Sequence, residues 1–119
     1  MYSEIVMEHF RQPHNVGELE GATATAEVMN PVCGDILRLS VQVEDGRIVR
    51  ARFKTHGCVT SIAASSVLTD WLSGKSLAEA RLLTPERISE SLGGLPQATF
   101  HAAQLCADGF AALLSEIER

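Results

Sequence analysis

Residues 37–54 read LRLSVQVEDGRIVRARFK, and this stretch decides the fold. Apolar and polar residues alternate on both sides of Asp45-Gly46, which is the period-two pattern of strands that have one buried and one solvated face. An Asp-Gly dipeptide between two such runs is the strongest short-range signal for a β-hairpin. The pattern therefore predicts two antiparallel strands. Their apolar series are Leu37, Leu39, Val41 and Val43 on the first strand, and Val49, Ala51 and Phe53 on the second.

Two cysteines flank this hairpin, and antiparallel pairing brings them to the same end of it. Cys33 lies just ahead of the first strand and is followed by Gly34, while Cys58 follows Gly57 just before a predicted helix. Backbone N–H groups at a helix N-terminus favour a thiolate, which is the form of cysteine that binds metal. We predict that Cys33 and Cys58 hold a metal centre. The alternative for each is an inert thiol that serves as a small apolar residue.

Three further side chains are candidate ligands. Asp35 points the same way as Cys33 if the segment is extended, and a turn-capping role is its alternative. His101 opens the last predicted helix and offers an imidazole, which suits zinc and iron, although a lone histidine there is more often a cap or a surface group. Cys106 follows on the same helix about 140° around the axis, amid apolar residues, so a core role and a ligand role both stay open. His9, His14 and His56 are weaker candidates.

The remaining elements place this hairpin in an α+β domain. Ser3 caps a short first helix that Pro13 stops, and residues 22–29 predict a first strand. A helix follows Cys58 and ends near Gly74, two short helices start after Ser76 and Thr84, and a last helix covers about 101–118. The order of a helix, then strands, then helices is typical of an antiparallel sheet covered on one face. The length of 119 residues fits one domain spanning 1–119.

Composition excludes several functional classes. The net charge is −5 with no long run of either sign, which argues against a general nucleic-acid binder. No stretch approaches the roughly 20 apolar residues that a membrane span requires, and the N-terminus lacks the pattern of a signal peptide. We therefore expect a cytoplasmic protein whose three cysteines stay reduced. No CxxC, Gly-rich phosphate loop or Ser–His–Asp arrangement is present in the sequence.

A series of short segments resembles the IscU/NifU N-terminal-type scaffolds of iron–sulfur cluster assembly, in matching order and spacing over nearly the whole chain. The segments are Tyr2-Ser3-Glu4, His9-Phe10, 13–17, Cys33-Gly34-Asp35 with 37–39, 51–58, 62–66, Thr69-Asp70-Trp71, 74–77, and Leu95-Pro96 ahead of His101.

The resemblance implies a three-stranded antiparallel sheet with helices packed on it. It implies a site made by Cys33, Asp35, Cys58 and a histidine–cysteine pair at the start of the last helix, where His101 stands. It further implies a scaffold rather than an enzyme. Such a scaffold takes sulfur from a cysteine desulfurase, assembles a transient [2Fe–2S] cluster and passes it to apo recipient proteins, and zinc can occupy the same ligands. The family aspartate keeps the cluster labile, a role that falls here to Asp35.

Two departures from the family pattern stand out. Ala102, not cysteine, follows His101, and Cys106 is displaced by about 6 Å along a helix. Residues 95–99 read LPQAT where the family carries Leu-Pro-Pro-Val-Lys, so we do not expect release by the dedicated Hsp70 chaperone. The first departure favours an alternative function: a zinc-binding adaptor, or a sulfur-accepting partner of a desulfurase, that does not itself build a cluster.

Overall fold

The computed structural model describes residues 2–119, in which a helix precedes the sheet and further helices follow it. In chain order the elements are α1 (Glu4–Arg11), β1 (Ala24–Met29), β2 (Ile36–Glu44), β3 (Arg47–His56), α2 (Val59–Leu72), α3 (Leu77–Ala80), α4 (Pro85–Ser91), a 3₁₀ turn (Gln97–Thr99) and α5 (His101–Ile117). No helix in this described part combines the length and the apolar character that a membrane crossing needs.

The three strands form one antiparallel sheet in the order β1-β2-β3. Leu37, Leu39 and Val41 on the central strand are buried, and α2 and α5 pack on this face. The hairpin turn has positive φ at both Asp45 and Gly46, which is the turn geometry that matches the twist of the flanking strands. The predicted α+β fold, with helices on one face of a three-stranded antiparallel sheet, is therefore confirmed.

A β-bulge changes the second half of the hairpin. The register shifts between Gln42 and Val43, so that Val43 pairs with Ile48 and leaves Val49 as the extra residue. Ile48 is fully buried, whereas Val49 is 38% exposed. The predicted apolar series Val49, Ala51 and Phe53 is therefore wrong at Val49, where Ile48 takes the buried position. A bulge inserts one extra residue into a strand, so the alternation of buried and exposed residues reverses beyond it.

The helix α2 is buried on nearly all sides, because it lies between β3, α1, α4 and α5. Four of its buried hydroxyl groups have partners: Ser61 bonds to Asp35, Ser65 to the Ser61 carbonyl, Ser66 to His9 and the His14 N–H, and Thr69 to the Ser66 carbonyl. Thr60 Oγ1 has none among residues 2–119. Buried hydroxyls without partners would cost about 1–3 kcal/mol each, so these bonds determine which neighbours the helix accepts.

The predicted helix starts are confirmed. Ser3 accepts a hydrogen bond from the Val6 N–H, Ser76 forms a capping box with Glu79, and Thr84 caps α4. The last helix begins at His101 as expected. These local signals carry their own hydrogen bonds, which explains why they could be located without knowledge of the tertiary structure.

The last helix approaches the sheet most closely at Gly109. A Cβ atom at this position would lie 2.7 Å from Leu37 Cδ2 and 3.4 Å from Val28 Cγ2. Since Leu37 is fully buried in the sheet, its side chain has little room to move away. The glycine therefore sets the distance between α5 and the sheet.

We expect Gly109→Val to lower the free energy of unfolding by about 2–3 kcal/mol, because the added side chain overpacks the interface between α5 and β2. Urea unfolding measures this change. Ala111→Val, at an exposed position of the same helix, is the matched control and should cost only about 0.5 kcal/mol through helix propensity. Equal losses in the two variants would contradict the close-packing account.

Candidate metal centre

The pairing register of the hairpin places Asp35 against Gly57. Ile36 pairs with His56 at the open end of the β2–β3 ladder, so the residues just beyond each strand end are neighbours. A Cβ atom on Gly57 would lie 2.6 Å from Asp35 Cγ, which is closer than any real side chain tolerates. Glycine at position 57 is therefore a steric requirement of the buried Asp35 carboxylate.

Three of the predicted site residues meet at this end of the sheet. Cys33, Asp35 and His101 each offer a ligand atom, and the three atoms lie within 4.8 Å of one another. Cys33 is exposed on its loop, Asp35 is only 8% exposed, and His101 is intermediate. The group is therefore open to solvent on the thiol side and closed on the carboxylate side.

Cys58 adjoins this group from the start of α2. It is the N-cap residue of that helix, and its Sγ lies 3.8 Å from His101 Nε2. The same His101 Nε2 lies 3.9 Å from Asp35 Oδ2. The structure thus brings together Cys33, Asp35, Cys58 and His101, which come from the β1–β2 loop, the start of α2 and the start of α5.

The loop that carries Cys33 is held by its own side chain–backbone bonds. Asn30 Oδ1 accepts from the Val32 N–H at 2.9 Å and from the Cys33 N–H at 3.4 Å. Gly34 then adopts a φ of 78°, a conformation that glycine reaches without steric cost. The turn therefore directs the chain from an exposed thiol to a buried carboxylate within two residues.

Ser61 belongs to the site and was not predicted from the sequence. Its Oγ donates to Asp35 Oδ2 at 2.5 Å and lies 3.3 Å from Cys58 Sγ. The Cys58 N–H also donates to Asp35 Oδ2, at 3.4 Å. One feature of the sequence could have identified Ser61: it lies in the first turn of the helix that begins after Cys58. Backbone N–H groups in a first turn have no partner within the helix, so a nearby carboxylate can accept from them and from a hydroxyl beside them.

These bonds determine the charge of Asp35. Burial raises the pKa of its carboxyl group, but the hydrogen bonds from Ser61, from the Cys58 N–H and from the two neighbouring thiols outweigh burial. The net pKa lies below its ordinary value, so Asp35 is a carboxylate at neutral pH. An ionised carboxylate is the form that coordinates a metal.

Cys106 lies apart from this group. Its side chain is fully buried in the hydrophobic core. Burial raises the pKa of the thiol to about 12, against the opposing effect of a hydrogen bond with Ser65. Of the two roles left open by the sequence, the structure supports the core thiol. Ala102, the residue after His101, has no donor atom in its side chain and supplies no ligand.

The other histidines are divided between two places. His56 is exposed at the end of β3, and it joins neither candidate metal group among residues 2–119. His9 and His14 lie with Asp70 in a second group, near the opposite end of α2.

The donor set of the first site determines its chemistry. Thiolates select zinc and iron–sulfur clusters, imidazole suits zinc and iron, and a carboxylate adds one harder oxygen ligand. Two sulfurs, one nitrogen and one oxygen make four protein ligands, the number that a tetrahedral zinc ion or a [2Fe–2S] cluster requires.

We expect Cys106 to resist alkylation in the folded protein, because its thiol is buried and its raised pKa of about 12 keeps it protonated at neutral pH. With iodoacetamide at neutral pH, mass spectrometry should find Cys33 labelled first, and Cys106 labelled only after unfolding in urea. Labelling of Cys106 in the native protein at the rate of Cys33 would show that it is not a core residue.

We expect Ser61→Ala to raise the pKa of Asp35 in the metal-free protein, since the variant loses a hydrogen bond that stabilises the carboxylate. Carboxyl ¹³C NMR titration measures the pKa directly. Ser73→Ala, at the far end of α2, removes a comparable hydroxyl that bonds only to a helix carbonyl, and it should leave the titration of Asp35 unchanged. An unchanged or lower pKa in Ser61→Ala would contradict the role of Ser61.

Comparison with known proteins identifies relatives over nearly the whole chain. The model of the NifU-like N terminal domain matches residues 1–118. The iron-sulfur cluster assembly scaffold protein IscU 1 of Archaeoglobus fulgidus is 44% identical over 108 residues, covering 91% of this chain and 71% of the relative. The IscU scaffold protein of Haemophilus influenzae is 40% identical over 119 residues, covering 97% of this chain and 94% of the relative.

Solved structures have the same fold. A NifU-like N-terminal protein from Brucella abortus superposes with a TM-score of 0.78 at 19% identity, covering 98% of this chain and 93% of that one. A hypothetical protein whose crystal structure was solved at 2.3 Å resolution has a TM-score of 0.70 at 31% identity, with coverage of 97% and 95%. The first likeness supports the fold alone.

Proposed function

The chain belongs to the NifU-like N-terminal domain family, and we propose that it is a scaffold on which an iron–sulfur cluster is assembled and from which the cluster is passed on. One observation carries the proposal: Cys33, Asp35 and His101 offer ligand atoms within 4.8 Å of one another, and Cys58 adjoins them. The relatives from Archaeoglobus and Haemophilus are named as scaffolds of this kind.

The two thiols have different roles in this proposal. Cys33 is exposed and Cys58 is half-buried at the N-terminus of α2. An exposed thiolate can attack the sulfane sulfur of a persulfide on a cysteine desulfurase, forming a persulfide on Cys33 while the desulfurase thiolate leaves. We assign sulfur acceptance to Cys33, because Cys106 is buried and protonated. Cys58 then serves as a fixed ligand.

Asp35 makes the site suited to release its cluster. A carboxylate oxygen is a harder ligand than a thiolate and holds iron less firmly in a sulfur-rich cluster. Ser61 and the Cys58 N–H hold this carboxylate in place through its Oδ2 atom. The cluster is therefore bound by two sulfurs, with His101 and Asp35 completing the ligands of a transient [2Fe–2S] centre. Zinc is the alternative occupant of the same four ligands.

The partners follow from this chemistry. The scaffold receives sulfur from a cysteine desulfurase and delivers the cluster to apo recipient proteins. Operation without the dedicated Hsp70 chaperone is part of the proposal and rests only on the sequence LPQAT at residues 95–99. A reducing compartment such as the cytoplasm suits a site that depends on free thiols.

A second candidate function is favoured by the presence of alanine at position 102 and by the burial of Cys106. With only two thiols at the site, the chain would act as a zinc-binding adaptor or sulfur acceptor for a desulfurase and would not build a cluster. The two functions differ in whether sulfide and iron accumulate on the chain.

We expect anaerobic incubation with iron, cysteine and a cysteine desulfurase to produce the visible absorption of a [2Fe–2S] cluster on the parent chain. Cys33→Ala and Cys58→Ala should each abolish it, because each removes one of two sulfur ligands. Visible spectra together with iron and sulfide analysis provide the measurement. Cys106→Ala is the matched cysteine control and should retain the cluster.

The outcome separates the two candidates. If the parent binds zinc but gains neither colour nor labile sulfide, the adaptor function replaces the scaffold function. If Cys33→Ala or Cys58→Ala assembles a cluster as the parent does, the site is misplaced. If Cys106→Ala alone loses the cluster, the core assignment of Cys106 is wrong.

A further inference from the structure

A second group of ligand side chains lies near the other end of α2. His9, His14 and Asp70 each offer a ligand atom, and the three atoms lie within 4.8 Å of one another. Along α2, Asp70 stands about 18 Å from Cys58, given a rise of 1.5 Å per residue. This group is therefore separate from the cysteine site.

The two imidazoles come from different segments and face each other. Their ring centroids are 4.8 Å apart, with an angle of 53° between the ring planes. His9 lies on α1, and His14 lies in the loop that follows it. Asp70, on α2, supplies a carboxylate beside them.

Hydrogen bonds hold both rings in fixed orientations. His9 Nδ1 lies 2.8 Å from Ser66 Oγ, and His14 Nδ1 lies 2.5 Å from Asp70 Oδ2. Protein metal sites use such a bond to one ring nitrogen to set the tautomer and direction of a ligating imidazole, and the contact of His9 with Ser66 is of this kind. With His9 Nδ1 donating to Ser66, its Nε2 carries the free electron pair that a metal ion requires.

The backbone around His14 is also fixed. The His14 N–H donates to Ser66 Oγ at 2.8 Å. The next residue, Asn15, accepts from the Phe53 N–H at the edge of β3 through its carbonyl, and its Nδ2 donates to Asp70 Oδ1 at 2.9 Å. Asn15 has a φ of 62°. The loop is thus bound to both the sheet and α2, which makes the group preorganised for a ligand.

A cleft gives an ion access to the group. It has a volume of about 290 Å³ and is lined by His9, Val67, Asp70, Trp71 and Ser91. His14 and Asp70 are about half exposed. The space admits an ion together with the water molecules that would complete its coordination.

From this geometry we propose that His9, His14 and Asp70 form a second metal site, which binds a divalent first-row transition ion through nitrogen and oxygen. Two imidazoles and one carboxylate with open positions are a donor set suited to zinc and ferrous iron. On binding, the ion replaces the hydrogen bond between His14 Nδ1 and Asp70 Oδ2. These two atoms then separate by roughly 0.8–0.9 Å to reach metal–ligand distances of about 2.0–2.1 Å around a tetrahedral ion.

Cobalt(II) binding to the Cys33→Ser/Cys58→Ser variant tests the site without interference from the thiols. We expect this variant to bind one equivalent of Co²⁺ with visible d–d absorption and without sulfur-to-cobalt charge transfer. Adding His14→Gln or Asp70→Asn should weaken binding at least about tenfold, since each removes a donor. His56→Gln, which changes an exposed histidine outside the group, should have no effect.

A second measurement leaves His9, His14 and Asp70 unchanged. Zinc added to the Cys33→Ser/Cys58→Ser variant should shift the ring ¹⁵N NMR signals of His9 and His14, and leave those of His56 unchanged. The proposal is overturned if zinc at millimolar concentration moves neither ring. It is also overturned if Co²⁺ binding survives both His14→Gln and Asp70→Asn in variants whose circular dichroism spectra match the parent. In either case the three residues only tie α1 and its loop to α2.

Discussion

The antiparallel pairing of β2 with β3 is the constraint on which the metal centre depends. Its register sets Ile36 opposite His56, and this pairing places a buried carboxylate against Gly57 and the start of α2. A slip of one residue would move every side chain of a strand to the other face. It would expose Leu37 and Leu39 and carry Asp35 away from Ser61. The same hydrophobic burial that stabilises the sheet therefore specifies the position of the ligands.

The helix α2 connects the two ligand groups through hydrogen bonds along its length. It is buried nearly all round and rich in serine and threonine, so its contacts are directional hydrogen bonds as well as apolar packing. Ser61 near its start fixes Asp35, and Ser66 farther along fixes His9 and the backbone of His14. Hydrogen bonds from one buried helix thus fix residues of both ligand groups.

Features specified locally could be predicted from the sequence. The hairpin and the three capped helix starts follow from alternation and turn residues, and strand pairing then brings Cys33 and Cys58 to the same end of the sheet. The bulge at Val49 could not be predicted, because either Ile48 or Val49 fits a buried strand position and only packing against the helices selects one. Ser61 was missed because serine in a first helical turn is common. Its role becomes evident only once the register brings Asp35 to it. Cys106 stayed ambiguous because the angular position of a residue on a helix does not by itself reveal which neighbours cover it.

The central claim is that two sulfurs, one imidazole and one carboxylate form the metal centre. X-ray absorption at the zinc edge tests it most directly, on the His14→Gln variant loaded with one equivalent of zinc so that only the cysteine site is filled. The account predicts two zinc–sulfur distances of about 2.3 Å and two zinc–nitrogen or zinc–oxygen distances of about 2.0–2.2 Å. Three zinc–sulfur distances would contradict the account, because Cys106 would then have left the core to bind the ion. One zinc–sulfur distance, or none, would also contradict it, because Cys33 and Cys58 would then not bind the same ion.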